Sequence, residues 1–217
     1  MSIRSIYLIL YNLCQFLLWT LFFVKVSLAG INSKSIQDIY DETHIILEYC
    51  QYGAYLELIH SLARLVKSNL FATPIKILGG IEIVVILNCF KRSISIGYIY
   101  LSFAWSLNEI IRYSYYILCL IKIDFNSMKI PYIHTWCRYS FFIVLDPIGI
   151  AGEIITLLNA RKFWVKYRFG SHFTIDVLIY PIYALYIPGL IFSYSYLFKQ
   201  RNIILRNVNP EKKIKTE

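Results

Sequence analysis

Apolar residues gather into six long runs separated by short polar ones: Ser5–Val24, about Ile45–Val66, Ile75–Phe90, about Ser95–Ile121, Trp136–Leu158 and Phe173–Phe198. A helix needs about 20 mainly apolar residues to cross the hydrocarbon core of a bilayer. The pattern therefore predicts an all-α fold, a polytopic membrane protein built as a bundle of about six transmembrane helices. It leaves no room for a separate soluble domain, so residues 1–217 read as one membrane domain and residues 199–217 as a short basic tail. The second run is the least apolar, because Glu48, Glu57 and His60 interrupt it. The third begins after Pro74 and carries Gly79-Gly80, small enough for close helix approach. The sixth holds Pro181 and Pro188, which predict a kink.

Composition strengthens this picture. Hydrophobic residues make up 58% of the chain and charged ones 16%, with a mean hydropathy of +0.55, outside the range of ordinary soluble domains. The first run is flanked by Arg4 and by Ser27-Leu28-Ala29, a small-x-small pattern of the kind that precedes signal cleavage. Its length, together with Asn12 and Gln15, which must each find a partner in lipid, favours a retained membrane helix.

The net charge of +9 comes from Lys and Arg placed mostly between and after the apolar runs, the distribution of short cytosolic loops, which argues against nucleic acid as a partner. The basic tail after Phe198 predicts a cytosolic C-terminus and, with six spans, a cytosolic N-terminus. Arg161, Lys162, Lys166 and Arg168 would then face the lumen, against the rule. Lys213 and Lys215, fifth and third from the end, match a dilysine retrieval signal and predict the endoplasmic reticulum membrane, with another endomembrane organelle as the alternative. The five cysteines are scattered without a CxxC pair, read as small buried hydrophobes, and begin no Cys-x5-Arg phosphate loop.

The chemistry lies in the polar residues that the apolar runs contain. A charge at the bilayer centre costs about 2.5 to 3.5 kcal/mol, so such residues face a protein interior and tend to mark function. Here they are Glu57, His60, Glu82, Glu109, Arg112, Arg138, Asp146, Glu153 and Asp176. Glu109 and Arg112, three residues apart, can pair on one helix face. Glu57 and His60 form a single Glu-x-x-His step, whereas a di-iron bundle needs two, so no metal is expected. In LDPIGIAGE (145–153), Asp146 and Glu153 stand seven residues apart, on one helix face and roughly 10 Å apart along the axis. Pro147 frees a carbonyl one turn earlier, and Gly149 and Gly152 admit a close-lying chain or ligand. Two titratable groups beside a slot for an acyl chain suit acid–base chemistry on a lipid.

Five stretches extend this reading: YLILYNLCQFLLW (7–19), LELIHSLARLVKS (56–68) with Thr73, AWSLNEIIRYSYY (104–116), WCRYSFFIVLDPIGIAGE (136–153), and YIP (186–188) with LFKQR (197–201). In order and spacing the chain resembles the very-long-chain (3R)-3-hydroxyacyl-CoA dehydratases, also called protein-tyrosine-phosphatase-like A proteins. The resemblance implies a six-helix protein of the endoplasmic reticulum that removes water from long-chain 3-hydroxyacyl-CoA in the fatty-acid elongation cycle. It implies no dissociable cofactor, and other elongation enzymes as partners. In that family a tyrosine and a glutamate, in the pattern Tyr-Pro-x-Gly-x-x-x-Glu, supply the acid and base. Glu153, Pro147 and Gly149 match, Arg138 matches the family's arginine, and the tyrosine position is Asp146. Arg64 stands where the family tends to have glycine, and Lys76, Gly79 and Gly80 stand where it tends to have a glutamine and a Ser-Arg pair.

The expected site is accordingly Glu153 and Asp146 as the catalytic pair, with Arg138, Gly149, Arg112 and Glu109 binding substrate. Losing one acid–base partner typically costs 10² to 10⁴ in rate. A protonated, buried Asp146 or a tyrosine from a nearby turn, such as Tyr139, would be the replacement. Lys67, Lys122 and Lys129 are candidates for holding coenzyme A at the cytosolic mouth. A degenerate family member acting as a membrane scaffold or lipid-binding partner is the alternative. A transporter fits the buried charges but has no internal repeat behind it.

Overall fold

The computed structural model describes residues 2–32, 34–66, 72–125, 130–164, 168–169 and 173–208. They form seven α-helices: α1 (Ile3–Ile31), α2 (Ile36–Leu62), α3 (Ala72–Cys89), α4 (Ile96–Phe125), α5 (Tyr132–Ser140), α6 (Phe142–Trp164) and α7 (Ile175–Val208). A short 3-10 turn (Lys91–Ser93) precedes α4, and two-residue strands β1 (Arg168–Phe169) and β2 (Phe173–Thr174) pair antiparallel before α7. Lys67, Lys129, Lys166, Lys213 and Lys215, and the side chains of Thr73, Lys76 and Asp176, lie outside the described residues.

The surface is apolar and part of the interior is polar. Along α1, Ile6, Leu10, Leu13, Leu17, Leu21 and Leu28 are exposed while Asn12 and Gln15 are buried. Water would reverse that arrangement, and lipid favours it. Among the described residues two stretches are long and apolar enough to cross a membrane, α1 and the combined Tyr132–Phe163. The apolar core joins α1 to α4 around Trp19, Phe22, Tyr40, Leu47, Leu87, Tyr98 and Leu101. Several polar groups inside it are paired: Tyr40 donates to Asn88 at 2.6 Å, Asn88 donates to Glu48 at 2.7 Å, and the hydroxyls of Thr43 and Tyr98 meet at 2.7 Å, whereas the Trp19 indole N–H and the Gln15 side-chain oxygen have no hydrogen-bond partner among the described residues. Asn12 turns to its own helix, donating to the Leu8 carbonyl at 2.6 Å.

Several boundaries differ from the hydropathy pattern. The second helix starts nine residues earlier than its apolar run, because Ser35 and Asp38 cap each other's backbone amides and so start the helix in polar sequence. It ends at Leu62 in a Schellman turn, with Leu65 N–H on the His60 carbonyl and Arg64 N–H on the Ser61 carbonyl. Arg64 takes φ +54°, the left-handed conformation that favours glycine. Arg4 of α1 reaches this turn and donates to the Leu65 carbonyl.

The fifth run is divided at Phe141. Pro147 has no N–H and its ring crowds the carbonyl four residues back. The preceding turn tightens accordingly, with both Val144 and Leu145 donating to the Phe141 carbonyl. The sixth run is one unbroken helix across Pro181 and Pro188, and the basic segment from residue 199 is helical as far as Val208. Contrary to the expectation of buried cysteines, only Cys50 is buried; Cys14 and Cys89 are exposed and Cys119 and Cys137 half-buried.

Helices α4 and α6 run antiparallel and approach almost backbone to backbone. A Cβ added to Gly152 would stand 2.6 Å from the Leu101 amide nitrogen and 2.8 Å from the Gly97 carbonyl, and one added to Gly97 would stand 2.7 Å from the Gly152 carbonyl. At Gly149 it would meet Ala104 and Trp105 at an ordinary 3.5 Å. Gly80 similarly leaves room for Gln51 of α2, while Gly79 faces open space.

Two outcomes follow for thermal melting of the purified chain. Gly152→Ala is expected to cost about 1 to 3 kcal/mol, because backbone atoms cannot give way, while Gly149→Ala is neutral or gains up to about 1 kcal/mol of helix propensity. Arg64→Gly is expected to stabilise by about 1 kcal/mol through relief of the left-handed backbone; an unchanged or lower midpoint would show that the turn carries no such strain.

Candidate active site

The α4–α6 crossing decides what faces the two predicted catalytic carboxyls. Ala104 and Trp105 of α4 lie against Gly149 of α6, so three residues further along the antiparallel pair Asn108 comes opposite Asp146, while the long indole of Trp105 reaches one turn the other way, to Glu153. Trp105 donates its indole N–H to Glu153 Oε1 at 3.0 Å, and Asn108 donates to Asp146 Oδ1 at 3.1 Å. Both carboxyls are partly buried on the same wall of α6, as their spacing predicts.

Trp105, Asn108, Arg112 and Tyr116 form one polar stripe at helical spacing along α4. The next rung is a buried ion cluster. Arg112 donates through both terminal nitrogens to Glu57 of α2, each at 2.7 Å, and through Nε to Glu109 at 2.6 Å; Tyr113 adds a hydrogen bond to Glu57 at 2.6 Å. The i,i+3 pairing of Glu109 and Arg112 is therefore present, and Glu57 is the partner that ties it across helices.

One turn further, Tyr116 accepts from Arg138 of α5 at 3.2 Å. Its ring lies between the two guanidiniums, 5.8 Å from that of Arg112 and 5.6 Å from that of Arg138. Both guanidiniums lie within cation–π distance of this ring, while the carboxylates themselves are paired by Arg112 and Tyr113. Arg138 Nε is buried and has no hydrogen-bond partner among the described residues.

A cavity of about 250 Å³ opens between α1, α2 and α4, lined by Tyr11, Asn12, Glu57, His60, Arg112 and Tyr116 among others. Asp146 and Glu153 do not line it, contrary to the shared internal slot that their spacing suggested. The physical reason is the closeness of α4, whose Trp105 and Asn108 fill the space in front of both carboxyls. Gly149 is likewise occupied by the α4 contact rather than by open space. The Glu-x-x-His step is held by protein groups: Glu57 by Arg112 and Tyr113, and His60 by the Tyr7 hydroxyl at 2.8 Å. Tyr139, considered as a substitute for the missing tyrosine, packs instead against Tyr115 and under Arg138. Lys122 is exposed in the last turn of α4.

The profile of the family described as "Protein tyrosine phosphatase-like protein, PTPLA" matches residues 51–207, which include α4 and α6 and every residue of the expected site. The chain belongs to the PTPLA family. Similar proteins carry dehydratase names. The very-long-chain (3R)-3-hydroxyacyl-CoA dehydratase hpo-8 of Caenorhabditis elegans is 31% identical over 216 residues, covering 94% of this chain and 96% of that protein. The probable very-long-chain (3R)-3-hydroxyacyl-CoA dehydratase of Schizosaccharomyces pombe is 32% identical over 202 residues, 91% of this chain and 92% of that one. The human very-long-chain (3R)-3-hydroxyacyl-CoA dehydratase 2 is 28% identical over 225 residues, 97% and 85% respectively. No solved structure matches the chain.

Within this PTPLA chain, sequence reasoning identified both carboxyls and the Glu109–Arg112 pair but not the α4 residues that meet them. The signal was present: Trp105, Asn108, Arg112 and Tyr116 recur at helical spacing inside an apolar run. The cluster makes a sharp stability prediction. Arg112→Met leaves two buried carboxylates uncompensated and is expected to cost about 3 to 5 kcal/mol. Adding Glu57→Gln and Glu109→Gln should recover a large part of that loss in a melting experiment, and no recovery would mean that the cluster does not act as a unit.

Proposed function

We propose that this PTPLA-family chain is a very-long-chain (3R)-3-hydroxyacyl-CoA dehydratase, a hydro-lyase that converts 3-hydroxyacyl-CoA into trans-2-enoyl-CoA in fatty-acid elongation. The observation that carries the reading is Glu153: in a chain whose relatives bear that name, it occupies the glutamate of the motif and is held on the α6 wall by the Trp105 indole. Elimination needs two proton transfers, from C2 to a base and from an acid to the departing C3 hydroxyl. Glu153 is the base, and Asp146, held by Asn108 on the same wall, is its partner. Arg138, with a buried Nε that has no acceptor among the described residues, and the neighbouring Arg112–Glu109 cluster with Gly149 shape the polar end of the substrate site. Lys122, exposed in the last turn of α4, is the candidate for holding the coenzyme A phosphates.

In this reading α1, α2, α3, α4, the α5–α6 pair and α7 make six crossings of the endoplasmic reticulum membrane. The outward leucines of α1 support it, since they have no favourable place in water. The substrate is a long-chain acyl-CoA drawn from the bilayer, no cofactor takes part, and other elongation enzymes are the natural partners.

One observation favours a second reading. Asp146 replaces the tyrosine of the motif and is already engaged by Asn108, so a catalytically degenerate scaffold or lipid-binding protein is the alternative. Purified protein incubated with a long-chain 3-hydroxyacyl-CoA separates the two. Wild type is expected to form enoyl-CoA and Glu153→Ala to lose 10² to 10⁴ in turnover. Activity that appears only in Asp146→Tyr would establish the degenerate reading instead.

A further inference from the structure

The terminal half of α7 lies antiparallel to the α5–α6 junction, and three contacts set its register. Arg201 donates to Ser140 at 3.1 Å, Phe198 packs edge-on against Phe142 at 5.2 Å between centroids, and Tyr194 packs against the same Phe142 at 5.9 Å. Phe142 is one helical turn before Asp146, so the next step of this register brings the Tyr194 ring over the turn that carries Asp146. The Tyr194 hydroxyl is buried and has no hydrogen-bond partner among the described residues. A buried hydroxyl left unpaired is costly, and such groups call for an explanation. The Asp146 carboxylate acts on this hydroxyl through space, yet the two are not hydrogen-bonded to each other.

We infer that Tyr194 of α7 supplies the phenol that α6 lacks at position 146, and that it is the general acid of the dehydration. This rests on the dehydratase reading given above. The C3 hydroxyl of the substrate is both a donor and an acceptor, and it fits between a carboxylate that can only accept and a phenol free to donate. It donates its own hydrogen to Asp146 and accepts from Tyr194. Glu153 removes the C2 proton, the C2–H electron pair becomes the C2=C3 double bond, and the C3–O bond breaks. Tyr194 transfers its proton to the departing oxygen, which leaves as water. The proton on Glu153 then passes to the Tyr194 oxygen through that water, restoring both groups without any further reactant. Asp146 is a positioning residue in this scheme, fixed by Asn108. The reach argument agrees with this assignment: an aspartate carboxyl is several ångströms shorter than a tyrosine hydroxyl, and proton transfer needs heavy atoms within about 2.6 to 3.2 Å.

The test is enoyl-CoA formation by the full chain in detergent or nanodiscs, comparing wild type, Tyr194→Phe and the double variant Asp146→Tyr/Tyr194→Phe. Tyr194→Phe is expected to lower kcat at least 100-fold with KM within about threefold, and to melt no lower than wild type, since the lost hydroxyl bonds to no described group. The double variant restores a phenol from α6 and is expected to exceed Tyr194→Phe at least tenfold in kcat, which a merely structural role for Tyr194 would not produce. Wild-type turnover in Tyr194→Phe, or a double variant no faster than it, overturns the assignment while leaving the dehydratase reading intact. An inactive wild type sinks both.

Discussion

The near-contact of two helix backbones at Gly97 and Gly152 is the constraint on which the rest depends. In lipid there is little hydrophobic force between helices, so association relies on close packing and on hydrogen bonds. Glycine at both positions lets α4 and α6 meet at a separation that any side chain would forbid. That meeting fixes the register of the pair, and with it which α4 side chain faces which α6 carboxyl. One turn of slippage would leave Trp105 and Asn108 facing leucine or isoleucine and both acids in an apolar medium, where an unpaired charge is costly.

α4 consequently acts as a polar ladder through an apolar bundle. Its rungs are Trp105 to Glu153, Asn108 to Asp146, Arg112 to Glu57 and Glu109, and Tyr116 to Arg138. The first two pair with α6, the third with α2 and the fourth with α5, so all three helices are registered against α4. The ion cluster contributes orientation more than stability, because buried pairs of this kind roughly balance desolvation against attraction. Its value lies in specificity: Arg112 with both terminal nitrogens on Glu57 permits one rotation of α2 against α4.

Much of this was legible in the sequence. The six apolar runs marked the helices, and the spacing of Asp146 and Glu153 placed both on one wall of α6. Pro147 signalled a disturbance: its ring crowds the Ile143 carbonyl, and the turn before it tightens onto the Phe141 carbonyl. The start of α2 was hidden because a capping pair, Ser35 and Asp38, lies in sequence too polar for a hydropathy reading. The departure at Arg64 acquired meaning only with its φ of +54°, which explains why glycine suits that position. What no local pattern could supply was the long-range pairing: Glu57 with Arg112, Trp105 with Glu153, and Tyr194 beside Phe142. Those contacts follow from helix register, and register is set by backbone approach at glycines whose partners are distant in sequence.

Function in this account is Glu153 held ready by α4. A double-mutant cycle on enoyl-CoA formation from a long-chain 3-hydroxyacyl-CoA, using Trp105→Phe, Glu153→Gln and both together, measures that coupling directly. Trp105→Phe alone is expected to slow turnover about tenfold, close to the loss of one hydrogen bond to a charged group, and to have no further effect once Glu153 is glutamine. Additive losses, or wild-type turnover in Trp105→Phe, would contradict the claim that the indole of α4 holds the catalytic carboxylate.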